Sequence, residues 1–495
     1  MTKNTFYATT AIDYPNGRPH IGHAYEKIVT DSYVRWNKLL GKETHFLTGT
    51  DENGQKLIES AKAAGLDTLE FVNANVEVFK ELCTKANIQY NDFIRTTEER
   101  HADTCVELWK NLEAKGLIYH GHYSGNYCLS CESFYTEAQA PDGNCPEHHK
   151  PLELKEEEGF FFKLSEYQKW IIDHLKANPD FIVPQARYKE ILSRLENDDL
   201  RDLAISRPSQ GWGVPVPGNE NFVMYTWFDA LINYYSALNT DQREKFWPAD
   251  MHVIGKDILW FHSVIWPCML KAADLPLPKQ VYVHGMVLAE DGKKMSKSLG
   301  NVVDPFEMLE KYPTDTFRYY MLKNISSSGD GKFSEQELVD KHNSELANDY
   351  GNLLMRVIKL GLKSFPDKVY TAQGVTQEID ALPHFERAKE FMERREHNKA
   401  IDAIWDLIVS LNQYVNDKEP WKHKADEAAF APIAYNCFYG MAAASYMLQA
   451  FLPECTKTAL EYIGSSVNGS ELMEFGKATY TPQPPEALFP KVELK

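Results

Sequence analysis

Apolar positions in the first fifty residues change period. Thr5 to Ile12 is rich in β-branched and aromatic residues and ends in Tyr14-Pro15-Asn16-Gly17-Arg18-Pro19, a cluster of turn formers. From Ala24 to Leu40 the pattern is helical. Ile28, Val29, Tyr33, Trp36, Leu39 and Leu40 recur at three- and four-residue steps, and Gly41 stands where a carboxyl-terminal cap belongs. A second strand signal, Thr44 to Leu47, opens into Gly49-Thr50-Asp51-Glu52-Asn53-Gly54. Short strands alternating with helices of this length predict a parallel, doubly wound α/β sheet. Ligands of such sheets bind beyond the carboxyl ends of the strands, where both loops lie.

From about Gly116 to Asn221 the pattern gives way to short segments, with a cysteine cluster, an acidic patch at Glu153 to Glu158 and the turn-rich run Arg207 to Gly213. Strand signals return at Asn221 to Trp227, His252 to Ile254 and Val281 to His284, so the sheet is expected to be completed after an insertion. Beyond Lys341 come long helical stretches, Glu345 to Leu362, Phe385 to Tyr414 and Glu427 to Phe451, which predict an all-α bundle. The tail from Tyr480, with its four prolines, is expected to be extended, loose or packed back on another surface. The expected domains are a split nucleotide-binding domain (1–115 and 222–285), an insertion (116–221), a region carrying the Lys294-Met295-Ser296-Lys297-Ser298 loop (286–340) and a helical domain with the carboxyl-terminal tail (341–495).

Composition narrows this picture. A chain of 495 residues exceeds the size at which a single core stops growing, and 43% hydrophobic with 25% charged residues excludes disorder throughout. Lys and Arg total 53 against 71 Asp and Glu, a net charge of −18, which excludes a general nucleic-acid coat and leaves room for a local basic site. The most apolar run, around Phe430 to Phe451, is broken by Pro, Asn and Gly, so no membrane span is expected. Met1 to Phe6 leads into no secretory or transit pattern, and a cytoplasmic location is expected. Cys128-x-x-Cys131, thirteen intervening residues and Cys145-x-x-His148 supply four soft or imidazole ligands at the spacing of a zinc knuckle. Four protein ligands leave no open position, so one structural Zn2+ is expected. His149 is the rival fourth ligand.

Two motifs point to phosphate chemistry. His20-Ile21-Gly22-His23 stands at the start of the first helix, where free backbone N–H groups and the helix dipole favour an anion. Gly22 permits close backbone approach, and the imidazoles can donate to a phosphoryl group. Lys294-Met295-Ser296-Lys297-Ser298, flanked by Gly292 and Gly300, places lysines and hydroxyls on a loop able to stabilise leaving pyrophosphate. Each alone reads as readily as loop or solvated surface; together they are specific.

This pair of motifs resembles the class I aminoacyl-tRNA synthetases, and further residues resemble their methionyl branch over essentially the whole length. The resemblance implies activation of an amino acid with ATP and Mg2+, then transfer to the 3′ end of tRNA, here L-methionine and tRNA(Met). By that resemblance His20 and His23 bind the ATP phosphates, Lys297 assists the activation step, Lys294 holds its loop on the nucleotide, and Arg207 acts near pyrophosphate. Gly255 and Asp257 meet the ribose, and Met286 and Val287 the adenine. The family's amino-acid pocket matches Ala11, Ile12, Tyr14, Asp51, Trp227, Ala230, Leu231, Tyr234, Ile258, Phe261 and His262, with Asp51 on the substrate ammonium and the Tyr234 hydroxyl toward the methionine sulfur. Taken alone those aromatics read as core. Asp13 departs from the family, where Pro or Tyr is common, and puts an acid beside the pocket. The insertion is too small for the large editing domain of the isoleucyl, valyl and leucyl relatives.

In the helical region Asn352, Arg356, Lys359 and Lys363 fall on one helix face, no carboxylate interrupts Gly351 to Pro366, and Trp421 offers a plane for stacking a base. Asn352, Arg356 and Trp421 match the positions with which the family reads the CAU anticodon. The resemblance favours a monomer, since the chain carries no further module after the bundle.

Overall fold

The computed structural model describes residues 4–128, 133–135, 140–146, 149–240, 242–295 and 300–494. Its centre is a six-stranded, all-parallel sheet built from β1 (Thr5–Thr10), β2 (Glu43–Thr50), β3 (Asp92–Arg95), β4 (Ile182–Val183), β5 (Met251–Gly255) and β6 (Val281–His284). The spatial order is β3-β2-β1-β5-β6-β4. The chain therefore runs outward from β1 to β3 and resumes on the other side of β1, first with the edge strand β4 and then with β5 next to β1. That reversal opens a crevice between the carboxyl ends of β1 and β5, the place where a parallel sheet binds ligands. β1 and β5 are buried along almost their whole length, as expected of strands covered on both faces.

Helix α1 (Ile21–Leu39) follows β1 and packs on β1 and β2, burying Ile28, Val29, Tyr33 and Trp36. Gly41 adopts φ +79°, the left-handed conformation that ends the helix. The strand expected at Asn221 to Trp227 differs from the structure. Asn219–Met224 pairs antiparallel with Ser206–Pro208 and Pro215–Val216 in a separate small sheet, and the chain enters helix α2 (Thr226–Ser236) directly afterwards. β-Branched and aromatic content signalled extended structure here but not which sheet receives it. The sixth central strand, β4, instead comes from within the 116–221 segment and pairs with β6.

After Lys341 the described chain is helical: α3 (Asn352–Ser364), α4 (Leu382–Glu393), α5 (His397–Lys418), α6 (Glu427–Leu448) and α7 (Pro453–Ile463). The single helix expected over Phe385 to Tyr414 is two, because Arg395 between α4 and α5 sits at φ +63°. Helical periodicity continues across that break, so the pattern alone missed it. The tail packs back: His342 Nε2 meets the Pro490 carbonyl at 2.8 Å, Asn343 pairs with Val492, and Phe489 is buried. A fully buried Arg318–Asp31 pair, 2.6 Å apart, joins the segment before the bundle to α1, and Arg318 also donates to the carbonyls of Ala86 and Phe451. No described helix is long and apolar enough to cross a membrane.

Candidate active site

The first helix begins with its two histidines as caps. The His20 Nδ1 accepts from the Gly22 N–H at 3.1 Å, and the His23 Nδ1 accepts from the His20 N–H at 3.0 Å. Both Nδ1 atoms being acceptors, the neutral rings carry their protons on Nε2. The rings stack 3.7 Å apart, a separation that suits neutral imidazoles. Loss of solvent, then Lys27, lowers the His20 pKa against an opposing pull from Asp257; loss of solvent, then His20 and Lys27, drives His23 well down. Two uncharged Nε2–H donors thus stand at the amino end of α1.

The segment after β1 lies against the segment after β2. Asp13 N–H donates to the Gly49 carbonyl and Asp51 N–H to the Asp13 carbonyl, both at 2.8 Å. The Asp13 carboxylate is buried and accepts from the buried Lys27 Nζ of α1 at 2.5 Å. Burial pushes Asp13 up to about 6 although Lys27 holds it down. Burial likewise draws Lys27 down, and Asp13 with Cys83 and Glu26 more than offsets it, so its value stands raised. Both groups are charged at neutral pH. Tyr14 packs over Gly54, where a Cβ would meet the Tyr14 hydroxyl at 2.4 Å.

The other wall is aromatic and comes from α2 and the segment after β5. Trp227 stacks on Phe261 at 3.8 Å, and both are half-buried, while Ala230, Leu231, Tyr234 and His262 are buried. The His262 Nδ1 meets the Ile258 carbonyl at 2.9 Å, which places its proton there, so Nε2 accepts the Tyr234 hydroxyl proton at 2.6 Å. The Tyr234 hydroxyl is committed to His262 in this state. Burial pushes His262 down to about 4 and Tyr234 up, the latter aided by Glu26 and Asp51. Phe261 and His262 lie in a π-helical turn, Phe261–Ile265, which shifts the side-chain register at the mouth of the pocket. Ala11 and Ile12, just after β1, pack against the same cluster.

Beyond β5, Gly255 leads into the exposed Asp257, whose carboxylate oxygen lies 2.8 Å from where a Gly255 Cβ would be. Beyond β6, a Cβ on Gly285 would meet the Gly329 carbonyl at 2.0 Å, so only glycine lets these two backbones pass. Asp330 then accepts from the Met286 N–H at 2.8 Å and from Lys256 Nζ at 2.9 Å, tying Met286 and Val287 to the end of β5. Composition carries no mark of Asp330. Nor does it mark Glu26, whose carboxylate meets His284 Nε2 at 3.0 Å. Glu26 raises the His284 pKa against the downward effect of burial. Asn53, which donates to the buried Asp229 at 2.7 Å, joins the β2 loop to α2; burial raises Asp229. These polar residues sit on faces that read as helix surface, and only the fold turns them inward.

Arg207 is buried in the small sheet with its guanidinium 4.2 Å over the Tyr225 ring, at the entry to α2. The same segment reaches the β2 loop through Trp212 Nε1, 2.6 Å from the Glu52 carbonyl. Lys294 is exposed, and Lys297 lies outside the described residues. So do Cys131 and His148. Cys128 and Cys145 are buried and form no disulfide. Cys128 pairs with Ser133 between antiparallel strands, and the Cys145 N–H donates to the Lys150 carbonyl at 2.8 Å. His149 is exposed at φ +54°. No cluster of three metal-ligating side chains occurs among the described residues.

In the helical region Asn352 is exposed at the start of α3, and Arg356, one turn on, lies 5.5 Å over the ring of Trp421. Arg356 also donates to Asn416 at 3.1 Å, and Trp421 is 38% exposed, which removes it from the core. A cavity of about 480 Å3 lies at the opposite, amino-terminal end of the sheet beside Phe6, Asn37, Lys42 and Arg395. Its cations face Asp250 and Glu393, so it has no net charge to attract phosphate.

A histidine-capped helix, a carboxylate loop and an aromatic pocket around the switch point of a parallel sheet define a site that activates a small molecule with a nucleotide. The sequence profile of the family described as tRNA synthetases class I (M) matches residues 6–153 and 147–358. A methionine–tRNA ligase of Clostridium tetani is 40% identical over 512 aligned positions, covering 100% of this chain and 80% of that one. One of Brucella suis is 40% identical, covering 94% and 92%. The structure of Mycobacterium tuberculosis methionyl-tRNA synthetase in complex with methionyl-adenylate superposes with a TM-score of 0.92 at 36% identity, covering 98% of this chain and 99% of that one. The chain belongs to the methionyl-tRNA synthetase family of class I tRNA synthetases.

Proposed function

We propose that the chain activates L-methionine with ATP and transfers the methionyl group to the 3′ end of tRNA(Met). The methionine carboxylate attacks the α-phosphorus, the bond to the β-phosphate breaks, and pyrophosphate leaves. In the second step a ribose hydroxyl of the tRNA attacks the methionyl carbonyl and AMP leaves. The observation that carries this reading is the junction at Asp13: one wall offers two neutral Nε2–H donors to phosphate, and the other offers an aromatic pocket to a thioether. In this reading His20 and His23 donate to the phosphates, with Lys294, Lys297 and Arg207 drawing off charge as pyrophosphate departs. Gly255 and Asp257 receive the ribose, and the backbone at Met286 and Val287 receives the adenine. Asp51 receives the ammonium. Trp227, Ala230, Leu231, Tyr234, Ile258, Phe261 and His262 enclose the side chain against Ala11, Ile12 and Tyr14. ATP enters with Mg2+, whose charge offsets that of the phosphates.

Cys128, Cys131, Cys145 and His148 would hold a structural Zn2+. The buried thiols of Cys128 and Cys145, in a segment with few apolar residues, suit that ion. Metal analysis of protein purified without chelator should give about one equivalent, and less than half would remove the site. Asn352, Arg356 and Trp421 would read the anticodon, which lets tRNA bind a chain of net charge −18. The deciding experiment is ATP–pyrophosphate exchange with each of the twenty amino acids. Exchange with methionine alone is expected; exchange with leucine, isoleucine or cysteine at equal rate would overturn the specificity, and none at all the activity.

A further inference from the structure

Asp13 stands where the two walls of the site meet. Its main chain faces the amino-acid side, since the Asp51 N–H hangs from the Asp13 carbonyl at 2.8 Å and the Asp13 N–H from Gly49. Its side chain faces the phosphate side. Oδ2 accepts from Lys27 at 2.5 Å, and Oδ1 lies 3.8 Å from Nε2 of His23, the nitrogen that carries the proton. The ends of this pair are almost completely buried, at 4% and 0% exposure. Buried pairs of this kind often stabilise a fold no better than apolar residues of the same volume, so a role in the site is the better account of it. The titratable groups around the pair are His20 at the helix cap, His23 and Glu26 of α1, and Cys83 of the neighbouring helix Thr68–Lys85; from the β2 side the main chain of Gly49 and Asp51 bonds to that of Asp13.

We propose that Asp13 is a positioning residue for the activation step: held by Lys27, it orients the His23 Nε2–H for the ATP phosphates and ties that donor to the loop that presents Asp51. The inference rests on the activity proposed above. At 3.8 Å the Oδ1–Nε2 contact is too long for a hydrogen bond, so the carboxylate aligns the N–H dipole without capturing it. An arriving phosphate oxygen takes the donor without first breaking a bond. Lys27 makes this workable, because a carboxylate without its cation beside the phosphate position would repel ATP. Removing Asp13 has the opposite fault: it strands a buried ammonium next to His23 and leaves the Nε2–H of that ring without the carboxylate that aligns it. Asp51 is held through backbone atoms, which survive a side-chain change at Asp13. Losses should therefore fall on the ATP terms.

The test is methionine-dependent ATP–pyrophosphate exchange by the full chain and by Asp13→Asn, Lys27→Met and the double variant, from pH 5.5 to 8.5. Each single variant should raise KM for ATP or lower kcat by roughly tenfold, the loss of one charge-assisted hydrogen bond, with KM for methionine within twofold. The double variant should be no worse than the poorer single one, because the two residues act as a unit. Burial, opposed by Lys27, leaves Asp13 at about 6, so the pair forms as pH rises through that value. The ratio of wild-type to Asp13→Asn kcat/KM for ATP should rise through about pH 6 and level above it; titration of ATP itself cancels in the ratio. Should Asp13→Asn fail to fold, Lys27→Arg, which keeps the charge and moves the donor, carries the same measurement and should recover most of the activity. Equal rises in both KM values, or a ratio flat with pH, would reduce the pair to a structural element. Absence of exchange in the wild-type chain would overturn the proposed activity instead.

Discussion

On the amino-acid side of the site, Trp227, Phe261, Tyr234 and His262 touch one another, with a stacked pair at 3.8 Å and a hydrogen bond at 2.6 Å, before any ligand arrives. On the phosphate side, His20 and His23 are held by main-chain N–H groups at one helix end, and Lys294 is exposed on its loop. The first wall is a piece of hydrophobic core with a mouth; the second is a set of donors attached to backbone. They should fail differently. Damage to the pocket should appear in substrate binding and stability, whereas damage to the donors should appear where charge moves during reaction.

The largest expected effect is on the phosphate side. Lys297→Ala should lower methionine-dependent exchange roughly 10²- to 10³-fold, the size seen when one preorganised donor to a developing charge is removed. KM for methionine should stay within twofold. A variant that keeps its exchange rate, or loses methionine affinity instead, would erase the distinction between the walls.

Next comes the share of acid sensitivity that the pocket contributes. Burial holds His262 at about 4 against an ordinary 6.5, with His252 beside it also driven well down. Between those pH values the unfolded chain takes up a proton that the folded chain refuses. Stability is therefore full above about pH 6.5 and declines as pH falls toward 4, by at most about 3 kcal/mol for this one group. Thermal unfolding followed from pH 7.5 to 4.5 should show that slope, and His262→Gln, neutral throughout, should lessen it by this one group's share, since the buried His45, His101 and His397 keep theirs. An unchanged slope in the variant would place the acid sensitivity elsewhere.

Trp227→Ala should cost the pocket about 2 kcal/mol, roughly thirtyfold in kcat/KM for methionine, through the lost stack on Phe261 and the lost apolar wall. Exchange at saturating methionine should fall far less. If kcat falls as much as kcat/KM, the ring acts in the transition state and the pocket is not a binding wall alone.

The two walls were also unequally legible in the amino-acid sequence. The phosphate side depends on local order: a strand, a turn cluster and His20-Ile21-Gly22-His23 at a helix start, so its elements and its donors can be read in one pass. The structure keeps that order, with β1 ending at Thr10 and α1 starting at Ile21. The pocket draws on segments far apart in the chain, and without the family resemblance its aromatics read as plain core. The polar ties were illegible for a further reason. Glu26 and Lys27 occupy positions that helical periodicity assigns to a mixed face, yet both are buried, because α1 is covered by the sheet on one side and by later segments on the other. Asp31 belongs to the same group: its partner Arg318 lies 287 residues away. Period reports which face is apolar; it does not report that a helix is covered all round.

The smallest effect expected lies outside both walls. Trp421 projects 38% exposed after Pro420 with Arg356 5.5 Å above its ring, and the Arg356 Nε is buried without a hydrogen-bond partner among the described residues. An aromatic plane beside a guanidinium suits an unstacked base. Trp421→Ala should weaken tRNA(Met) by about 1 to 2 kcal/mol, measured as a rise in KM for tRNA of roughly five- to thirtyfold. Exchange without tRNA should be unchanged, since neither wall contacts this face. The contrast between the two assays carries the argument: a fall in exchange would mean that the helical region supports the catalytic site through packing, and the anticodon role would then rest on Asn352 and Arg356 alone.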